Sequence, residues 1–393
     1  MSTLAAAADF MNGDLHGTDH PFSGVSTDTR TLQEGELFVA LQGPNFDGCD
    51  YVGKARDKGA AGAVVPTLVD EDIPQISVED SRRALGQLGA AWRQQLSPVV
   101  IGVTGSNGKT TLKELTAACL AKGAPTLATH GNLNNDIGMP LMLTRIEEKH
   151  RFAVIEMGAN HIGEIAYLTA LATPDIVVIT NAGAAHLEGF GSLDGVARGK
   201  GEILCGETRP KVAILNADDR YFDYWSKLVA DTQLITFGID ADADVTARNI
   251  DADAAGSSFD LRLPVGEIDI TLPLAGRHNV RNACAAAAIA VAVGIDIADI
   301  KSALESVKPV EGRLRRLAGP GGATIYDDSY NANPLSVVAA AEFLASLPGD
   351  HLLVLGDMGE LGDDAARLHA ETGAQVREAG ISRLLATGPL SRN

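Results

Sequence analysis

Cysteine is scarce and scattered. The four present, Cys49, Cys119, Cys205 and Cys284, make no C-x-x-C pair. That argues against a zinc site or a disulfide framework and fits reduced thiols in cytoplasm. Basic residues are also in deficit: 32 Lys plus Arg against 51 Asp plus Glu leave a formal charge of −19. Such a chain repels nucleic acid and anionic membrane surfaces, so neither is expected as a partner. Any phosphate must then be held by local devices such as loop amides, single lysines and metal ions. Long apolar runs are missing too. No stretch reaches the ~18 residues that span a bilayer, and MSTLAAAADF lacks the basic start and apolar run of a secretion signal. The expected location is the cytoplasm.

What is present is apolar material for more than one core: 45% hydrophobic residues in a chain of 393. Residues 1–84 read as a first unit, with strands in GELFVALQG and AAGAVVP and helical YVGKARDKG between them. SVEDSRRALGQLGAAWRQQL reads as a helix leading onward, capped by Ser77 or Asp80. In residues 85–312, the runs VVIGVT, FAVIEMG, DIVVITN, KVAILN and QLITFG alternate with helical stretches at 110–122, 163–171, 193–204 and 218–229. This alternation predicts a mostly parallel sheet covered on both faces. FDLRLPVGEIDITLPL, inside 244–274, reads as a β-hairpin insertion, and the alanine run at 285–291 as part of an amphipathic helix. Residues 313–393 read β-α-β-α-β, the start of a doubly wound sheet. A three-stranded parallel fragment leaves its last strand uncovered, so this third domain is expected to be incomplete. The predicted fold class is α/β, in three domains.

The stretch VVIGVTGSNGKTTLKELTAACL carries the strongest chemical signal. It is a buried strand, a glycine turn and a helix, the setting in which backbone amides and a helix N-terminus hold an anion. It departs from strict G-x-x-x-x-G-K-[ST], because Val103 stands where the first glycine should fall. Gly105, Ser106, Asn107 and Gly108 form the turn. Lys109 would neutralise β- and γ-phosphates, and the hydroxyl of Thr110 or Thr111 suits magnesium. The plain alternative is a glycine-rich turn with a surface lysine.

Three more residues point to a cation site. Glu156 ends the strand FAVIEMG, and His186 follows the strand DIVVITN, so both fall at the carboxyl edge of the sheet where ligands bind. Lys200 lies in GVARGKGEIL. Each has an ordinary reading: a helix-capping Glu156, a hydrogen-bonded loop His186, a solvated Lys200.

Taken in order, the motifs STDTRTLQEGELFVALQG, GSNGKTTLKE, GNLNNDIGMPLML, EMGANHIGEI, NAGAAHLEGFGS, KGEI, GRHNVRNACAA, VEGRLRRL, DDSYNANP and LGDMGELG resemble the Mur ligases, the ATP-dependent amide ligases of peptidoglycan precursor synthesis. The branch most similar adds D-alanyl-D-alanine to a UDP-N-acetylmuramoyl tripeptide. The resemblance implies a UDP-sugar-binding domain, a central ATPase domain and a C-terminal Rossmann-like domain. It also implies activation of the tripeptide carboxylate by ATP as an acyl phosphate, which the dipeptide amine then attacks. Two magnesium ions are implied, the second held by Glu156 and His186, with Lys200 carbamylated beside it. Asn279 and Asn282 match the adenine segment, although they equally suit helix capping. Arg313 matches an interdomain phosphate contact and Asp328 a ribose contact, with Tyr330, Asn331 and Asn333 alongside on the substrate side. Ser26, Thr27, Asp28 and Arg30 match the uridine-diphosphate segment. Asn134 and Asn135 match a substrate loop, or make a simple turn. A monomer is expected.

The family's third domain runs further and ends in a Lys-Ser-Arg segment that nothing here matches, which implies a chain cut short or a natural fragment. A folylpolyglutamate-synthetase-like ligase would use similar loops but lacks the STDTR…GELFVALQG unit. A generic P-loop NTPase leaves the later motifs unexplained. A non-catalytic nucleotide-binding scaffold is the rival from outside enzymology.

Overall fold

The computed structural model describes residues 2–392. In the first unit, five strands order as Asp14–His16, Gln75–Ser77, Gly62–Val65, Leu37–Val39, Val25–Ser26. Strand alternation splits the side chains between two faces. Leu37, Val39 and Val64 bury against the helix Leu4–Met11 and against Ala84, Leu85 and Leu88 of the helix Ser81–Gln95. Phe38, Ala63 and Val65 bury against Val52 and Ala55 of the helix Val52–Asp57. Of the two expected caps, Asp80 closes the Ser81–Gln95 helix, its carboxylate accepting from the amides of Arg82 and Arg83.

The second unit is a nine-stranded sheet. Its order is Gly266–Leu272, Ser257–Leu263, Val245–Ala252, Gln233–Gly238, Val212–Asn216, Ile176–Ile179, Val99–Thr104, Phe152–Glu156, Thr126–Ala128. The six strands from Gln233–Gly238 to Thr126–Ala128 are mutually parallel; five are the apolar runs expected as strands, and the edge strand Thr126–Ala128 is an addition. Their alternate residues feed two cores: Ile101, Val103 and Val178 on one side, Val100, Val177 and Ile179 on the other.

The hairpin expected in FDLRLPVGEIDITLPL is present, Ser257–Leu263 against Gly266–Leu272, and the 244–274 insertion extends it by one strand into an antiparallel meander. Its first strand joins the parallel sheet through Phe237↔Val245 and Gly238↔Thr246. The alanine run is not amphipathic: residues 283–290 of the helix Arg277–Ala292 are all buried. That helix packs on the strand Val245–Ala252 and on the helix Lys109–Gly123, and methyl-sized side chains allow both approaches.

The third unit also differs from expectation. Thr324–Asp327 pairs antiparallel with Arg315–Ala318, and Leu353–Gly356 pairs parallel with Leu384–Thr387. No ladder joins the two pairs among the described residues. The expected single doubly wound sheet is therefore two ribbons, around which the helices Pro334–Ser346 and Ala365–Glu378 pack.

Trp225 is fully buried in the second core and donates from Nε1 to Ala197 O at 3.0 Å, tying the helix Phe222–Leu228 to Leu193–Gly201. Trp225→Ala is expected to cost about 3–5 kcal/mol, read as a lower urea midpoint of the central domain.

Candidate active site

The strand Val99–Thr104 lies between Phe152–Glu156 and Ile176–Ile179, and the chain leaves it for the sheet edge at Thr126–Ala128. Strand order reverses there, and a crevice opens at the carboxyl ends of the strands. Val103, where a strict motif would place glycine, is a buried strand residue paired with Glu156 and Val178. The tight turn begins afterwards. Gly105 has φ +144° and Gly108 φ +82°, and a side chain at Gly105 would collide with the Thr180 hydroxyl.

Thr180 and Asn181, which follow the neighbouring strand, fasten the loop. Thr180 Oγ1 donates to Asn107 O at 2.6 Å. Asn181 Oδ1 accepts from Asn107 N at 3.0 Å, and its Nδ2 donates back to Asn107 O. Ser106 Oγ exchanges hydrogen bonds with Gly183. Lys109 Nζ folds over the loop, donating to Gly105 O at 2.7 Å and Ser106 O at 3.2 Å. Burial pushes the Lys109 ammonium below the ordinary lysine range while the Glu156 carboxylate pulls it back up.

Glu156 is 2% exposed. Its Oε1 accepts from Asn134 Nδ2 at 2.8 Å and, more weakly, from Thr110 Oγ1 at 3.4 Å. Its amide donates to Thr129 Oγ1 at 2.9 Å, and buried Lys113 holds Thr129 O at 2.7 Å. Its Oε2 is buried with no hydrogen-bond partner. A bare carboxylate oxygen in a dry site is costly unless a cation sits there. Carboxylate, hydroxyl and amide oxygens are the hard donors that magnesium takes, so these residues fit that ion. Thr111 is buried one residue further along the helix.

One cleft of about 980 Å³ gathers Ser106–Thr110, Asn134, Asn135, Glu156, His186, Arg313, Tyr330 and Asn331. Arg313 reaches it from the third unit, its guanidinium 4.1 Å from the centre of the Tyr330 ring. Asn333 caps the helix Pro334–Ser346 and clasps the phosphate loop: its Nδ2 donates to Asn107 Oδ1 at 2.6 Å, and its Oδ1 accepts from Asn107 Nδ2 at 3.2 Å. Asp328 accepts from Leu314 N at 3.1 Å, and burial pushes its carboxyl up.

Other expected residues stand apart from the cleft. Among the described residues, no three His, Cys, Asp or Glu side chains converge as a ready metal set. Lys200 is buried behind the wall, where Nζ donates to Ala159 O at 3.2 Å and sits 5.0 Å from the Phe190 ring centre. Burial first, and the Lys109 charge second, push its amine down to about 7. Asn279 donates to Ala275 O, and Asn282 packs against Gly108, beneath the loop. Ser26, Thr27, Asp28 and Arg30 lie in the first unit, outside this cleft. There Arg30 grips Asp28 through two nitrogens and holds that carboxyl down at about 2.

The sequence reading overlooked Thr180 and Asn181, although the edge argument that selected Glu156 applies to them equally. It also overlooked Arg82 and Arg83, which line the cleft from the first turn of a helix. Arg82 is ion-paired there with Asp136, and the Asp80 carboxylate caps the same helix end.

A buried strand, a glycine loop, a lysine and a helix N-terminus at the switch point of a parallel sheet define a P-loop α/β protein, the class built to hold phosphate. Family descriptions match in sequence: Mur ligase family, catalytic domain, over residues 21–93; Mur ligase middle domain over 103–290; Mur ligase, glutamate ligase domain, over 312–393. The UDP-N-acetylmuramoyl-tripeptide--D-alanyl-D-alanine ligase of Escherichia coli K12 is 45% identical over 99% of this chain and 86% of its own length. The crystal structure of MurF from Acinetobacter baumannii superposes with a TM-score of 0.93 at 38% identity, covering 100% of this chain and 86% of that one. Thermotoga maritima MurF ligase in complex with ADP superposes at 0.82 with 28% identity, covering 94% and 85%. The chain belongs to the Mur ligase family.

Thr129→Val is nearly isosteric but strips the Glu156 amide of its acceptor. It is expected to destabilise by about 1–3 kcal/mol, measured as a urea midpoint shift, with Thr129→Ser close to wild type.

Proposed function

We propose that this chain is an ATP-dependent ligase that joins D-alanyl-D-alanine to a UDP-N-acetylmuramoyl tripeptide through an acyl phosphate, completing the UDP-muramoyl pentapeptide of the peptidoglycan precursor in the cytoplasm, as a monomer. The observation that carries this reading is the meeting in one cleft of the phosphate loop, the bare oxygen of Glu156, His186 and Arg313. Relatives so named align along nearly the whole chain.

The chemistry explains the residue types. A carboxylate is a poor electrophile with a poor leaving group. Its oxygen attacks the γ-phosphorus, ADP leaves, and the resulting acyl phosphate is reactive. The dipeptide amine then attacks the acyl carbon, loses a proton, and inorganic phosphate departs. The amides of Gly108, Lys109 and Thr110 and the Lys109 ammonium hold the phosphates, those of Ser106 and Asn107 being given to Asn181, and Arg313 meets the phosphates from the third unit. Two magnesium ions would supply the positive charge that lets two anions approach. Thr110 or Thr111 with Glu156 would hold one, and Glu156 with His186 the other. Asn279 and Asn282 are assigned to adenine and Asp328 to ribose. Tyr330, Asn331, Asn134 and Asn135 are assigned to the muramoyl peptide, and Ser26, Thr27, Asp28 and Arg30 to the uridine diphosphate. Asn333 is assigned to the same peptide side, beside its clasp on Asn107.

Lys200 supports a carbamate in this reading. An amine displaced to about 7 is largely neutral above that pH, and a neutral amine adds to carbon dioxide with loss of a proton. The cation near the site thereby becomes an anion able to support the metal.

Phosphate release should require ATP, UDP-muramoyl tripeptide and D-alanyl-D-alanine together. Undiminished release without the dipeptide would reduce the protein to an ATPase, and nucleotide binding without release in the full mixture would make it a scaffold. Lys200→Ala is expected to depress turnover without rescue by bicarbonate. With ¹³C-bicarbonate, a carbamate NMR signal should be present in wild type, absent in Lys200→Ala, and should fade as pH drops through about 7.

A further inference from the structure

His186 does not stand alone. Its Nδ1 is hydrogen-bonded to the carboxylate of Glu360, a residue 174 positions away in the third unit. His186 lines the cleft, whereas Glu360 does not, so the carboxylate grips the ring from outside the cleft. The backbone supports the same contact. Glu188 N donates to Glu360 O at 3.2 Å, and Gly362, at φ +64°, packs against Glu188. Both partners hold a left-handed backbone, φ +55° at His186 and +58° at Glu360, unusual for residues with a side chain. Two neighbouring non-glycine residues in that region, on loops from separate units, indicate that the contact fixes both loops. The Asn107–Asn333 clasp lies at the phosphate end of the same cleft, so the third unit grips the central domain at two places.

An ionised carboxylate only accepts hydrogen bonds, so Nδ1 must donate to it and a neutral ring is left with Nε2 free of its proton. This is the arrangement by which carboxylates orient metal-binding histidines. We propose that Glu360 is a positioning residue: delivered by the third unit, it sets the tautomer and orientation of His186, so that the cation site is complete only when the third unit is docked. The proposal rests on the assignment of His186 to a cation site. It gives the loop LGDMGELG a task, and it ties assembly of the ATP end of the cleft to docking of the third unit.

The test separates the two readings. In full-length protein labelled with ¹⁵N-histidine, and with the His186 signals assigned by their loss in His186→Gln, the ring should show the Nδ1–H tautomer. Glu360→Ala should convert it to a mixture or to Nε2–H, with no metal present. Mn²⁺ binding to the complex with a non-hydrolysable ATP analogue, followed by electron paramagnetic resonance, should weaken about 10–100-fold in Glu360→Ala. Glu360→Gln, whose amide oxygen still accepts, should fall between that variant and wild type in both readouts, and it serves if the alanine variant folds poorly. Wild-type tautomer and Mn²⁺ affinity in Glu360→Ala, alongside weakened Mn²⁺ binding in His186→Ala, would overturn the proposal alone. Undiminished Mn²⁺ binding in His186→Ala would overturn the cation-site assignment beneath it.

Discussion

Everything at the site depends on one carboxylate that is half satisfied. Glu156 is out of water, one of its oxygens is held by an asparagine and a threonine, and the other has no donor. A buried anion of this kind is tolerated only where opposing charge is near. The helix N-terminus of the phosphate loop, Lys109 and a hard cation are the groups that can supply it. The strand register makes the arrangement unavoidable: Glu156 pairs with Val103, two residues before the loop glycine, so carboxylate and phosphate loop reach the sheet edge together.

The support behind Glu156 is layered. Lys113 holds Thr129, and Thr129 holds the Glu156 backbone. Asn134 holds one carboxylate oxygen, while its own backbone carbonyl accepts from Gly158 N. Lys113 and Thr129 are buried and Asn134 is half-buried at the cleft wall, so packed neighbours orient the free oxygen. The other wall of the cleft is built differently. There, His186 and the phosphate loop are both held by the third unit, through Glu360 and Asn333. One wall is fixed within a single domain, and the other adds contacts between domains to the hold of Thr180 and Asn181 on the phosphate loop.

The parallel strands and the phosphate loop were legible because continuous apolar runs and local turn chemistry carry their own signal. Glu156 and His186 were legible because both follow such runs. What the sequence hid was non-local. Nothing local says that the strand Val245–Ala252 pairs parallel on one side and antiparallel on the other, or that Thr324–Asp327 turns back on Arg315–Ala318. Burial of Lys200 was equally hidden: its sequence reads as a solvated helix residue, and its contacts with Phe190 and Ala159 are tertiary. Asn333 is expected from the resemblance on the substrate side. Its reach to Asn107, 226 residues earlier, is a tertiary fact.

The alanine helix Arg277–Ala292 has a consequence for how the family can vary. Its buried run Ala285–Ala288 has side chains that end at the first carbon, the helix packs on Lys109–Gly123, and Asn282 on its second turn lies against Gly108. Adding even one methyl group along that seam pushes against the rod whose tip is the phosphate cradle. Residues that never meet a nucleotide thus determine where its charge rests, and drift at these interior positions is limited by catalytic geometry as much as by folding.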